Sequence, residues 1–180
     1  MKPQAPRLSS TRRHLRLLQA LTVLGLLAIS VPRVCLATPT DDARTAIQSV
    51  YDKMATAARW KFLDGMFSGR APDFSAAGPN GSMVNLVEER ATLTRLLQQS
   101  AAVSEKTTIE RINLTDPTHA TCHVHDITIF TVDRPDGTTA KLTLDTLSDD
   151  HWVKSPDSGW LESFSRVLSQ TSVTDPPMNQ

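Results

Sequence analysis

The sequence predicts an α+β domain in which N-terminal helices pack on the concave face of a curved, mainly antiparallel sheet. Three observations predict it. Apolar residues recur at helical spacing within residues 41–100. From Lys106 the apolar period changes to two. Turn signals then cut the stretch to Ser169 into consecutive strands, so the strands read as a meander.

Each element has its own signal. Thr40 can cap a first helix, and Asp41 and Asp42 suit the positive end of its dipole. Ala43, Ile47, Val50, Tyr51, Met54 and Ala58 share one face, which predicts an amphipathic helix over 41–58. A second, shorter helix is expected over 60–67, ending near Gly65 or Gly69. Gly78-Pro79-Asn80-Gly81 marks a turn between two short extended pieces. Asn85 with Glu88 three residues on is a capping-box pattern. It opens a helix to about Ser100, with Leu86, Leu93, Leu96 and Leu97 on its apolar side. Four strands are expected over 106–114, 120–132, 138–154 and 160–169. The polar, Pro-containing stretch 171–180 reads as a disordered tail.

Residues 1–37 have the pattern of an export signal, and 38–170 that of the mature domain. A basic stretch ends at Arg16, an apolar run spans Leu17 to Val31, and Cys35-Leu36-Ala37 is a small-x-small site that suits cleavage before Thr38. The run is short for a bilayer span and is closed by Pro32 and Arg33, so the mature form is expected to be exported and not membrane-embedded. Thr11-Arg12-Arg13-His14-Leu15 loosely resembles a twin-arginine signal, so both the general and the twin-arginine routes stay open. Six of the 19 basic residues (Lys2, Arg7, Arg12, Arg13, Arg16, Arg33) lie in this segment, which has no acid. The mature part therefore holds 13 basic against 19 acidic residues, near −6. That balance argues against nucleic acid as a partner. Cleavage also removes Cys35, leaving Cys122 without an internal disulfide partner.

The turn Arg134-Pro135-Asp136-Gly137-Thr138 fixes a register. Gly137 can take the left-handed conformation of a three-residue loop with a bulge, which sets Arg134 opposite Thr138. Counting outward pairs Phe130 with Leu142, Asp126 with Thr146, Val124 with Ser148 and Cys122 with Asp150. The even-numbered side carries Cys122, Val124, Phe130, Leu142, Leu144 and Trp152, so it faces the core. Asp126, Thr128, Thr146, Ser148 and Asp150 share that side and are the polar pocket candidates. A buried carboxyl without a partner is pushed toward its neutral form. A bulge would expose one or both aspartates instead.

His119, Cys122, His123, His125, Asp126 and His151 suggest a metal at first sight. The register puts Cys122 and Asp126 on the face opposite His123 and His125, which splits the set, so no metal is assigned. No Gly-x-Ser-x-Gly, phosphate loop or dinucleotide fingerprint occurs, and no cofactor is expected.

The chain from about Thr40 to Ser169 resembles the nuclear-transport-factor-2-like superfamily in its SnoaL-like branch. The resemblance rests on Ala46-Ile47 to Tyr51, on Ala71-Pro72-Asp73-Phe74 and on Gly137. Its strongest piece is Asp150-His151-Trp152-Val153-Lys154 followed by Gly159-Trp160. It implies a cone-shaped fold, a pocket between sheet and helices, and a homodimer formed through the sheet. It also implies isomerase, dehydratase or cyclase chemistry by pocket acids and bases, or else non-catalytic partner binding. Asp126, Asp150 and Tyr51 are the candidates for such chemistry. Trp60 and Trp152 either line an apolar ligand pocket or fill the core. The leading expectation is an exported domain that binds a small, largely apolar molecule.

Overall fold

The computed structural model describes residues 38–134 and 136–175. The expected export signal over 1–37 and the position of Pro135 lie outside the described residues. Helix α1 runs Pro39–Arg59. Its cap is Thr38, two residues before the expected Thr40. Thr38 accepts from the Asp41 backbone and Asp41 reaches back to Thr38, a reciprocal box with the shorter acid. The second helix, α2, is a single turn at Leu63–Met66, shorter than expected because Trp60–Phe62 form the loop before it. Strand β1 (Arg70–Ala77) and strand β2 (Met83–Asn85) are the two extended pieces around the Gly78–Gly81 turn. Helix α3 (Leu86–Gln99) starts from Asn85, whose box with Glu88 is closed in both directions. Strands β3 (Ala102–Asp116), β4 (His119–Asp133), β5 (Thr139–Ser155) and β6 (Gly159–Asp175) follow as consecutive antiparallel partners.

The sheet has six strands in the order β2-β1-β6-β5-β4-β3, two more than the expected meander. The addition is non-local. β1 pairs with β6 in parallel, Arg70 against Glu162 and Ser75 against Phe164. Gly69 allows the chain to enter β1 at this point, since a Cβ there would collide with Val50 and Met54 of α1. The disordered tail expected from 171 is corrected in part. Residues 171–175 continue β6 and pair with Lys141–Asp145 of β5, because an antiparallel partner satisfies backbone groups that a polar sequence does not advertise.

The expected β4–β5 register is the observed one. Phe130 faces Leu142, Asp126 faces Thr146 and Cys122 faces Asp150, with no bulge between the two strands. Gly137 has φ +82° and donates its N–H to the Arg134 carbonyl, and the Arg134 N–H reaches the Thr138 carbonyl at 2.8 Å. The bulges fall on the neighbours: Glu110 and Thr115 are the extra residues on β3, and Ser163 and Leu168 are the extra residues on β6. They bend the sheet while β4 and β5 keep strict alternation.

Two apolar clusters anchor the concave face. One joins Ala43, Ile47 and Tyr51 of α1 to Ile109, Cys122, Val124, Trp152 and Trp160. The other joins Ala57, Ala58, Met66, Phe67 and Leu97 to Val103 and Phe130. Trp152 is 1 % exposed and stands edge-on to Tyr51 at 5.1 Å between ring centroids. Among the described residues, no helix is long and apolar enough to cross a membrane.

Candidate functional site

Between sheet and helices lies a cavity of about 350 Å³ whose wall draws on both clusters. That volume is in the range of small-molecule sites. Leu93 and Leu96 of α3, Met66, Phe67, Phe130 and Leu144 supply apolar wall. The polar wall comes from alternate residues of the sheet. The pleat sends Asp126 and Thr128 of β4, and Thr146, Ser148 and Asp150 of β5, into the cavity.

Asp150 is 4 % exposed. The Tyr51 hydroxyl donates to its Oδ2 at 2.6 Å and Ser165 Oγ donates to its Oδ1 at 2.7 Å. Burial nevertheless pushes the carboxyl above its ordinary value, against the opposing bonds from Tyr51, Ser165 and Ser148. Burial, with the Asp150 charge second, also pushes the Tyr51 phenol well up. Asp126 accepts from Thr107 Oγ1 at 2.7 Å and Thr128 Oγ1 at 2.8 Å. Its carboxyl is raised too, again by burial first.

The sequence candidates separate cleanly. Tyr51, Asp126, Thr128, Thr146, Ser148 and Asp150 converge on the cavity. Trp152 does not line it but fills the core behind Tyr51. Trp60 as a pocket residue is corrected: it is 80 % exposed. The helix ends one residue before it, so its ring points away from the packed face of α1. His123 and His125 pair with Asp149 and Asp145 on the opposite, convex face, each at 2.9 Å. Among the described residues no three His, Cys, Asp or Glu side chains form a group that would hold a metal ion. Burial pushes the Cys122 thiol up to about 12, which keeps it protonated.

Four charged cavity residues escaped the sequence reading: Arg70, Glu89, Glu105 and Glu162. Arg70 forms an ion pair with Glu89, lies 3.6 Å from Glu162 Oε2, and stacks over Phe74 at 4.3 Å. Burial works against its charge, but Glu162 and Glu89 more than offset that and keep it protonated. Glu162 is 3 % exposed, and burial followed by the Asp150 charge pushes it well up. Glu105 is pushed up to about 7 by burial and then by the Asp126 charge. Glu162 was open to a hairpin count through the Pro156–Gly159 turn, which sets it against Trp152. Arg70 had no such signal, because its place follows from the parallel β1–β6 pairing.

No family profile matches this chain, and no curated protein matches it in sequence. Solved structures do. The chain is similar to the Kfla4162 protein of Kribbella flavida (19 % identity, 73 % of this chain and 94 % of that one, TM-score 0.60). It is similar to a protein assigned as a scytalone dehydratase from Novosphingobium aromaticivorans (15 % identity, 76 % and 88 %, TM-score 0.60). It is also similar to the LinA-type3 hexachlorocyclohexane dehydrochlorinase of Novosphingobium barchaimii (10 % identity, 77 % and 95 %, TM-score 0.53). The helix-covered, curved six-stranded sheet and these likenesses give the chain the cone-shaped nuclear-transport-factor-2-like fold.

Proposed function

We propose that this chain is an exported SnoaL-like domain that takes a small, largely apolar molecule into the cone and moves a proton on it, as a cofactor-independent isomerase or dehydratase does. The observation that carries this reading is the buried Tyr51–Asp150 hydrogen bond at the wall of a cavity that is apolar on its helix side. A carboxyl raised by burial is a competent acid or base near neutral pH. In this reading Asp150 or Asp126 takes a proton from carbon, and Tyr51 relays a proton between a substrate oxygen and Asp150. The names borne by two of the similar structures, a dehydratase and a dehydrochlorinase, agree with elimination chemistry.

The test needs no known substrate. Ketones and β-hydroxy ketones incubated with the protein in D2O are followed by NMR for deuterium uptake or loss of water. Activity that disappears in Asp150→Asn or Asp126→Asn supports the reading, and turnover unchanged in both would sink it. Export is tested by N-terminal sequencing of protein from its host. A start at Thr38 is expected, and a retained residue 1–37 segment contradicts it. A homodimer through the convex face is expected to give twice the monomer mass by light scattering, and a monomer at every concentration contradicts it.

A further inference from the structure

The cavity holds more acid than its one guanidinium can balance. Asp126, Asp150, Glu89, Glu105 and Glu162 line it, against Arg70. Arg70 is already engaged by Glu89 and Glu162. Several hydrogen-bond donors of the wall are engaged as well. Tyr51 and Ser165 donate to Asp150, Thr107 and Thr128 donate to Asp126, and the Gln170 amide donates to Thr146. Beyond Arg70 Nε, which is held only by ion pairing at 3.6 Å, what the wall has left is chiefly the acceptor capacity of its carboxyls. Glu162, although 3 % exposed, lines the cavity and takes no hydrogen bond among the described residues; its nearest ionic partner is Arg70 Nε at 3.6 Å. Glu105 faces the same space and has no cationic partner within 4 Å among the described residues. A ligand carboxylate or phosphate would meet five carboxyls and a single cation already held in two ion pairs. A neutral hydroxyl would satisfy one acceptor. An ammonium offers three donors and a positive charge, and an apolar body suits the leucines and phenylalanines opposite.

We infer that the cavity takes a cationic, amine-bearing small molecule with an apolar body. This rests on the reading of the cavity as a small-molecule site and names the class of molecule it takes. The ammonium sits between Glu105 on β3 and Glu162 on β6, with Asp126 and Asp150 between them, and the body lies against α3 and Phe130. Cation entry draws protons off the wall, because an ammonium favours the charged form of every carboxyl near it. Glu105, Asp126, Asp150, Glu162 and Tyr51 are the groups that share those protons, with Glu89 and Arg70 as the fixed pair beside them.

The experiment is titration calorimetry at pH 7 in two buffers of different ionisation enthalpy. The probes are two matched sets: 2-phenylethylamine, 2-phenylethanol and 3-phenylpropionate, and the corresponding indol-3-yl compounds. The amine of each set is expected to bind at least tenfold more tightly than the alcohol, with the carboxylate weakest. Amine binding is expected to release protons to the buffer. Glu105→Gln is expected to lower amine affinity at least fivefold and to leave the alcohol within twofold. The ranking on the unaltered protein stands whether or not that variant folds. An alcohol or carboxylate that binds as tightly as its amine overturns the charge assignment and leaves the small-molecule reading intact. Absence of binding by all six, together with no exchange or water loss in the D2O screen, overturns both.

Discussion

Asp149 and Asp150 are neighbours in sequence and opposites in chemistry. Asp150 points into the cone, is nearly sealed from water, and is raised by burial. Asp149 points to the convex face, where His123 and Arg166 hold it with bonds of 2.9 and 3.0 Å. Those partners, His123 first, lower its carboxyl below the ordinary value. The pleat alone makes the difference. One face of β4 and β5 carries carboxyls held toward neutrality around a cavity; the other carries carboxylates bonded to histidine and arginine side chains. Side-chain chemistry on this sheet is therefore set by register, and a one-residue slip would exchange the two faces.

The largest way to break the comparison is through activity. Asp150→Asn is expected to lower any proton-transfer turnover about 10²- to 10⁴-fold, the usual share of one acid or base. Asp149→Asn is expected to stay within about twofold, since it faces away from the cavity. Equal losses in the two variants, measured by steady-state kinetics, would erase the distinction between faces.

Stability separates the two tryptophans in the same way. Trp152→Ala is expected to cost about 3–5 kcal/mol by denaturant unfolding, the range for a buried aromatic. Trp60→Ala is expected to change stability by no more than about 0.5 kcal/mol, as for an exposed side chain. A large loss at Trp60 would show that the loop before α2 packs against something the domain itself does not supply.

A smaller effect sharpens the role of Tyr51. Tyr51→Phe removes a bond to Asp150 while keeping the ring against Trp152, so a loss of about 1.5–3 kcal/mol is expected. A loss below about 0.5 kcal/mol would mean that the bond contributes little to the cone's floor.

The pH dependence of stability carries opposite signs on the two faces. Glu105 rises from 4.5 to about 7 on folding, so the folded state holds its proton more tightly. Its contribution is complete below 4.5 and is lost as pH rises through 7. Asp149 is lowered from 3.8, so its contribution is present above 3.8 and lost as pH falls through its folded value. Glu105→Gln is expected to flatten the decline in stability between pH 4.5 and 7, and Asp149→Asn to flatten the decline on acidification below 3.8. Melting curves across pH check both, and the same slope in either variant as in the unaltered protein contradicts the assignment for that face.

What is legible in the sequence follows from where each signal lives. Asn85 and Glu88 announced α3, because a capping box is local. Gly137 gave the β4–β5 register, because a short hairpin fixes pairing by counting, and that register placed Asp126 and Asp150 inside. Arg70 and the β1–β6 pairing were invisible, because parallel pairing between segments some ninety residues apart leaves no periodic trace. Glu162 was legible by the same kind of hairpin count as Asp126 and Asp150, since the Pro156–Gly159 turn sets it against Trp152 before the first bulge of β6. Trp60 read from its type as a pocket or a core residue, and its place just past the helix end leaves it exposed instead.

The pleat gives adjacent aspartates opposite shifts, Asp150 raised by burial in the cavity and Asp149 lowered by its partners on the other face. That opposition is tested most directly by carboxyl ¹³C NMR titration of aspartate-labelled protein with Asp149 and Asp150 assigned. Asp149 is expected to titrate below 3.8 and Asp150 above it. Asp150 titrating together with Asp149, at or below that value, would contradict the opposition.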